Sequence, residues 1–246
     1  MNGVAPTAEA FIAALWANQS DEELKKIARY FKASPGDYGE GDRFIGVRMG
    51  TVFELARAHI EMPIGEIEKL LESDIHEARA GAVSIMARKA AARATGEEER
   101  RELYELYLRR HDRIDNWDLV DLGAWNVVGR YLADKPRDVL YGLARSQNLW
   151  ERRTAILASL HFVKQGEADD ALELAELLVA DGEDLIHKAV GGVLRSLTGK
   201  HRERLTAFLE RNAPTMPRVM LRYAIEHFPP DERARYMGLK TPKAPS

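Results

Sequence analysis

Two short segments hold the residues best suited to chemistry. In Ile114-Asp115-Asn116-Trp117-Asp118-Leu119-Val120-Asp121, the aspartates Asp118 and Asp121 are three apart, and Trp117 and Asp121 are four apart. On a helix the latter pair projects from one stripe. The segment Asn148-Leu149-Trp150-Glu151-Arg152-Arg153-Thr154-Ala155-Ile156-Leu157 opens another helix and brings two adjacent arginines. Both segments set charge on faces that should otherwise be apolar. A carboxylate beside an indole, with arginines on a later helix, predicts a site that handles positive charge.

Each of these residues also has a plain structural reading. Asp118, near a first turn, stabilises a helix N-terminus by about 0.3–1 kcal/mol and is read in that role. Trp125 lies eight residues after Trp117 on the same stripe and is read as core. Arg153 pairs with Glu151 or Asp121 in the plain reading, and a surface pair contributes only about 0–1 kcal/mol. Tyr30 suits a cleft and a core equally well.

The elements that must position these residues are helices. Apolar residues recur with the helical period at Ala8-Phe11-Ile12-Leu15, Leu24-Ile27-Ala28-Phe31 and onward to Leu205-Phe208-Leu209. Ala78, Ala80, Gly81, Ala82, Ala87 and Ala90 would let neighbouring helices approach closely. No stretch alternates as a half-buried strand must. Breaks fall at residues 34–37, Met62-Pro63, Thr95-Gly96, Lys135-Pro136, Gln165-Gly166, Asp181-Gly182, Thr198-Gly199 and Ala213-Pro214. Their spacing predicts helices of roughly 10–18 residues joined by short loops. Pairs recur about every 35–45 residues, the unit length of HEAT-type repeats. The predicted fold is all-α, an α-solenoid of HEAT-like pairs, curved, with a concave basic face. Residues 1–240 are expected to form one domain and 241–246 a flexible tail.

Composition narrows the class. Of 246 residues 45% are hydrophobic and 30% charged, which is ordinary for a globular protein. No apolar run approaches the roughly 18 residues of a membrane span, and no basic-then-apolar leader opens the chain, so a cytoplasmic protein without a membrane partner is expected. The absence of cysteine excludes disulfides, thiolate zinc sites and cysteine nucleophiles. The seven histidines show no paired metal-ligand spacing, so neither metal nor cofactor is expected. The net charge of −3 argues against indiscriminate nucleic-acid binding. The charge is uneven, however. Residues 61–77 and 169–184 are acid-rich, while 79–93, 152–153, 188–204 and 218–222 are base-rich. A basic face on an acidic body would steer a polyanion to one surface; solvated helix faces are the plain alternative.

An ordered set of motifs adds a resemblance. Ala28-Arg29-Tyr30-Phe31-Lys32 precedes Phe44-Ile45-Gly46-Val47-Arg48, and Asn116-Trp117-Asp118-Leu119-Val120-Asp121 follows. Then come Trp150-Glu151-Arg152-Arg153, Ile186-His187-Lys188-Ala189-Val190-Gly191-Gly192-Val193-Leu194-Arg195 and a weaker match at Arg222-Tyr223-Ala224. Together they resemble the AlkD-type DNA alkylation repair family, the HEAT-like alkylpurine DNA glycosylases. The resemblance implies hydrolysis of the N-glycosidic bond of cationic N3- or N7-alkylpurines in double-stranded DNA, without base flipping. It carries the catalytic carboxylate onto Asp121, the catalytic indole onto Trp117 and their companion arginine onto Arg153. Tyr30 matches an aromatic of the cleft. Arg48, Arg152, Lys188, Gly192 and Arg195 complete the expected DNA- and lesion-binding set. A monomer, nucleoid-associated when bound to DNA, is expected.

The chain departs from the family at Gly192, where a second tryptophan would help enclose the lesion, and at Gly50, which stands where proline is common. Glycine within a helix costs about 1 kcal/mol relative to alanine, so the Gly191-Gly192 pair needs another reason. Either a backbone or DNA approaches there, or the lesion space is enlarged. Two other functions stay open on sequence: a non-catalytic DNA-binding solenoid recognising branched or distorted DNA, and a protein-interaction scaffold.

Overall fold

The computed structural model describes residues 6–31, 39 and 41–239, apart from the side chains of 28 and 29. Lys32, the break at 34–37 and the expected tail at 241–246 lie outside the described residues. Those described form helices and turns without a strand; Arg43 and Ile75 make one isolated bridge. The fold is all-α, as the periodicity predicts, and in keeping with an α-solenoid. None of the described helices is long and apolar enough to cross a membrane. The chain divides into two compact units after Tyr131.

The first unit comprises α1 (Ala8–Trp16), α2 (Asp21–Tyr30), α3 (Met49–Ala58), α4 (Ile64–Leu71), α5 (His76–Ala91), α6 (Glu97–Arg109) and α7 (Trp117–Gly123). A π-helical turn, Ala124–Gly129, continues α7. The centre is α5, of whose sixteen residues thirteen are buried. It packs against α1, α3, α4, α6, α7 and the π turn. Its small residues permit this crowding. A Cβ on Gly81 would stand 2.4 Å from the Phe11 ring, and one on Gly123 of α7 would stand 2.5 Å from the Tyr107 ring. Each fully buried Leu, Ile or Phe at these contacts stabilises the unit by about 1.5–3 kcal/mol.

Polar groups fix where the helices begin. Thr7 accepts from the Ala10 N–H to cap α1, and Ser20 accepts from the Glu23 N–H to cap α2. Asn116 caps α7 by accepting from the Trp117 N–H at 2.8 Å. The segment before α3 hangs on Glu77, the second residue of α5. The Glu77 carboxylate is buried and accepts from the backbone N–H groups of Ile45, Gly46 and Val47 at 2.9–3.2 Å. Gly46 has φ +85°, and a Cβ there would meet the Ser20 carbonyl at 2.3 Å, so only glycine fits. In this way α2, which ends at Tyr30, is tied to the start of α5.

The second unit comprises α8 (Asp138–Ala144), α9 (Leu149–Ala158), α10 (Leu160–Gln165), α11 (Asp169–Leu178), α12 (Asp184–Ser196), α13 (Arg202–Asn212), α14 (Arg218–Ala224) and α15 (Pro230–Gly238). Here α12 packs on α9, α11 and most closely on α14. Gly191 permits that approach, because its Cβ would stand 2.6 Å from both the Met220 carbonyl oxygen and the Tyr223 Cβ. Gly192 has nothing within 4 Å of the corresponding point. The adjacent glycines therefore have different causes: one is a packing contact, the other an opening.

Candidate active site

In the first unit α2, α5, α7 and the segment before α3 enclose a cavity of ≈640 Å³. Its walls include Tyr30, Phe31, Phe44, Phe53, Trp117 and Asp121. Trp117 is half-buried and stacks on Phe31, with centroids 5.5 Å apart and planes 19° apart. The Tyr30 ring meets Trp117 edge-on at 5.7 Å and is 66% exposed. Phe44 lies 5.0 Å from Phe31. Rings crossing at these distances hold one another in place, and their faces attract cations.

Beneath the aromatic wall is a network of charges. His76, the first residue of α5, is fully buried. Its Nε2 donates to Asp118 Oδ2 at 2.8 Å, and its Nδ1 stands 3.3 Å from Asp42 Oδ2. Phe31 and Phe44 lie against its ring, at 5.0 and 4.6 Å. Burial, the largest single influence, works against a charged imidazole, as does the positive end of α5. The Asp118 charge and hydrogen bond, reinforced by Asp42, outweigh burial and push the His76 pKa up to about 9. Asp42 is likewise opposed by burial, yet the neighbouring His76, Arg79 and Asn116 hold its carboxyl below the ordinary value. The buried Arg79 guanidinium donates to Asp42, to Asp115 at 3.3 Å and to the Ser73 carbonyl at 3.2 Å. Asn116 donates to Asp42 Oδ2 at 2.7 Å while capping α7. The start of α7 is thus anchored at Asn116 and at Asp118, on either side of Trp117.

This geometry revises two sequence readings. Asp118 does lie in the first turn of α7, but Asn116 supplies the cap and Asp118 supplies the partner of His76. Trp125, expected in the core, is half-buried on the π turn. Asp121 is exposed at the cavity wall, one helical turn beyond Trp117.

Of the expected site residues, Tyr30, Trp117 and Asp121 come together. Arg48 is exposed at the start of α3 and pairs with Glu23 at 2.9 Å. The remaining five belong to α9 and α12 of the second unit. Arg152 is engaged by Asp181, with Nε to Oδ2 at 2.7 Å, and by the carbonyls of Ser146 and Gln147, each at 3.0 Å. Arg153 is buried and donates to the Leu185 carbonyl at 2.5 Å, linking α9 to α12. Lys188 pairs with Asp184 at 2.6 Å and Arg195 with Glu226 of α14. Lys188, Gly192 and Arg195 follow one another on a single stripe of α12, with open space at Gly192.

Sequence reasoning missed His76, Asp42, Arg79, Phe31 and Phe44. One signal was available. His76-Glu77-Ala78-Arg79 brings three polar or charged residues into the start of a helix otherwise built of small apolar ones, and charges entering a buried helix require partners. Among the described residues no cluster of three or more His, Asp or Glu could hold a metal ion.

An all-helical chain whose aromatic cavity has a carboxylate at its wall defines a class suited to a flat, positively charged ligand. The chain belongs to the family of DNA alkylation repair enzymes, whose family model matches residues 11–228. A solved structure described as a predicted DNA alkylation repair enzyme from Enterococcus faecalis is similar in fold, with a TM-score of 0.67 at 16% identity. The match covers 87% of this chain and 98% of that one. A comparison with curated proteins gives no match.

Proposed function

We propose that the protein is a DNA glycosylase that hydrolyses the N-glycosidic bond of cationic N3- or N7-alkylpurines in double-stranded DNA. The observation that carries this reading is the placement of Asp121 on the wall of the aromatic cavity beside Trp117 and Tyr30. An alkylated purine of this kind already bears a positive charge, so it leaves without prior protonation. The bond between N9 and C1′ breaks, and its electron pair neutralises the base. The sugar passes through an oxocarbenium-like state, as in other glycoside cleavages. The Asp121 carboxylate opposes that charge and accepts the proton of the water that adds to C1′. Trp117 and Tyr30 offer ring faces and edges to the cationic lesion. Tyr30 is exposed and Trp117 only half-buried, which suits a lesion held against the protein surface rather than drawn into a closed pocket. The base is accordingly proposed to remain unflipped.

The test is release of 3-methyladenine and 7-methylguanine from methylated duplex DNA. Asp121→Asn should retain the fold and DNA affinity while slowing excision by on the order of 10²–10³, the usual cost of one preorganised electrostatic contact. Full excision by that variant would move the site elsewhere. Wild-type protein that binds duplex but releases no base would establish the non-catalytic DNA-binding reading instead.

A further inference from the structure

Beside the aromatic cavity, and sharing Phe53 and Leu122 with it, lies a smaller one of ≈260 Å³. Its other walls include Ser84, Arg88 and Asn126. Ser84 and Arg88 are four apart on α5 and project from one face; Asn126 comes from the π turn packed on that helix. None of these three side chains makes a hydrogen bond or ion pair among the described residues. Several other arginines of the unit are engaged. Arg43, Arg79, Arg109 and Arg110 each engage a carboxylate, and Arg100 and Arg113 donate to backbone carbonyls. Ser84 is only 4% exposed and lines the cavity. No carboxylate lines the cavity.

A guanidinium, a carboxamide and a hydroxyl all donate hydrogen bonds. The ligand that accepts from all three, and whose charge matches Arg88, is an oxyanion with several acceptor atoms. We propose that Ser84, Arg88 and Asn126 form a phosphate subsite, which takes a backbone phosphodiester of the strand whose base meets Trp117. The choice of DNA as the source of the phosphate rests on the function proposed above; the oxyanion chemistry does not. Leu122 lies in the common wall directly after Asp121, so a phosphate held there would fix the strand's register against the carboxylate.

The test uses the full chain and two substitutions, Arg88→Gln at an exposed position and Ser84→Ala at a buried one, with thermal midpoints to establish folding. Affinity for a labelled duplex is measured across a range of salt, then for duplexes each bearing one uncharged methylphosphonate. Arg88→Gln should weaken binding about five- to tenfold and lower the salt slope by about 0.9, the contribution of one phosphate contact. One methylphosphonate position should weaken wild-type binding by a similar factor and leave Arg88→Gln unaffected. Unchanged affinity and slope in Arg88→Gln would overturn the proposal. If the wild type binds no duplex, the proposed function fails separately, and inorganic phosphate then tests the site. A saturable shift of the Arg88 Nε–H resonance, absent from Ser84→Ala, would support an oxyanion subsite with another source. No shift would overturn it.

Discussion

A fully buried histidine between two aspartates sets the charge beside the aromatic cavity. Asp42 and Asp118 are committed to His76 and Arg79, and Asp121 lies at the exposed wall of the cavity. The commitment has a pH signature. The His76 pKa is about 9 in the folded chain against an ordinary 6.5, so the folded state binds the proton more tightly. Its contribution to stability is complete below about pH 6.5 and is lost as pH rises through 9. His76→Gln should therefore destabilise the protein most at pH 6 and progressively less toward pH 9.5, as read from denaturant midpoints. Asp118→Ala leaves the imidazolium with a buried partner missing, which typically costs about 3–5 kcal/mol. A gap between wild type and His76→Gln that stays constant from pH 6 to 9.5 would mean that the histidine is not charged in the fold.

At the scale of elements, α12 and α14 meet at one glycine while its neighbour meets nothing. Gly191→Ala must push a methyl group into the Met220 carbonyl and Tyr223, and overpacking of this kind costs about 1–3 kcal/mol. Gly192→Ala has room, and it should stabilise the helix by about 0.5–1 kcal/mol through propensity alone. Thermal midpoints moving in opposite directions would confirm the two roles; equal shifts would not fit them. The sequence showed the pair as anomalous without separating the two causes, because helix-on-helix distance is a property of packing. Helical period made the elements themselves legible, and the four-residue spacing made Trp117 and Asp121 legible as one stripe. His76, Asp42 and Phe44 could not be read in that way. They are tens of residues from α7 and reach it only through long-range packing around α5. The π turn was equally hidden, since apolar spacing at Val127 and Val128 is compatible with an ordinary helix.

For the whole molecule the relevant quantity is the number of cations left for a polyanion. Lysine and arginine total 36 against 39 acidic residues, and the basic stretches are largely answered by acidic ones. Arg152 is held by Asp181, Lys188 by Asp184, Arg195 by Glu226 and Arg204 by Asp169. A phosphate approaching Arg195 must therefore displace a carboxylate that is already in place. Pairs on half-exposed side chains such as this one contribute only about 0–1 kcal/mol, so the exchange is feasible but subtracts from affinity. Removing the internal competitor should then strengthen DNA binding. Glu226→Gln is expected to raise duplex affinity about two- to fivefold, the equivalent of that pairing energy, and to steepen the dependence of log affinity on log salt by up to about 0.9. Arg195→Gln alone should have little effect, and added to Glu226→Gln it should cancel the gain. The measurement is a salt titration of duplex binding by all three variants. If Glu226→Gln binds with wild-type affinity and slope, Arg195 has no part in holding the phosphate backbone, and its pairing with Glu226 serves only to join α12 to α14.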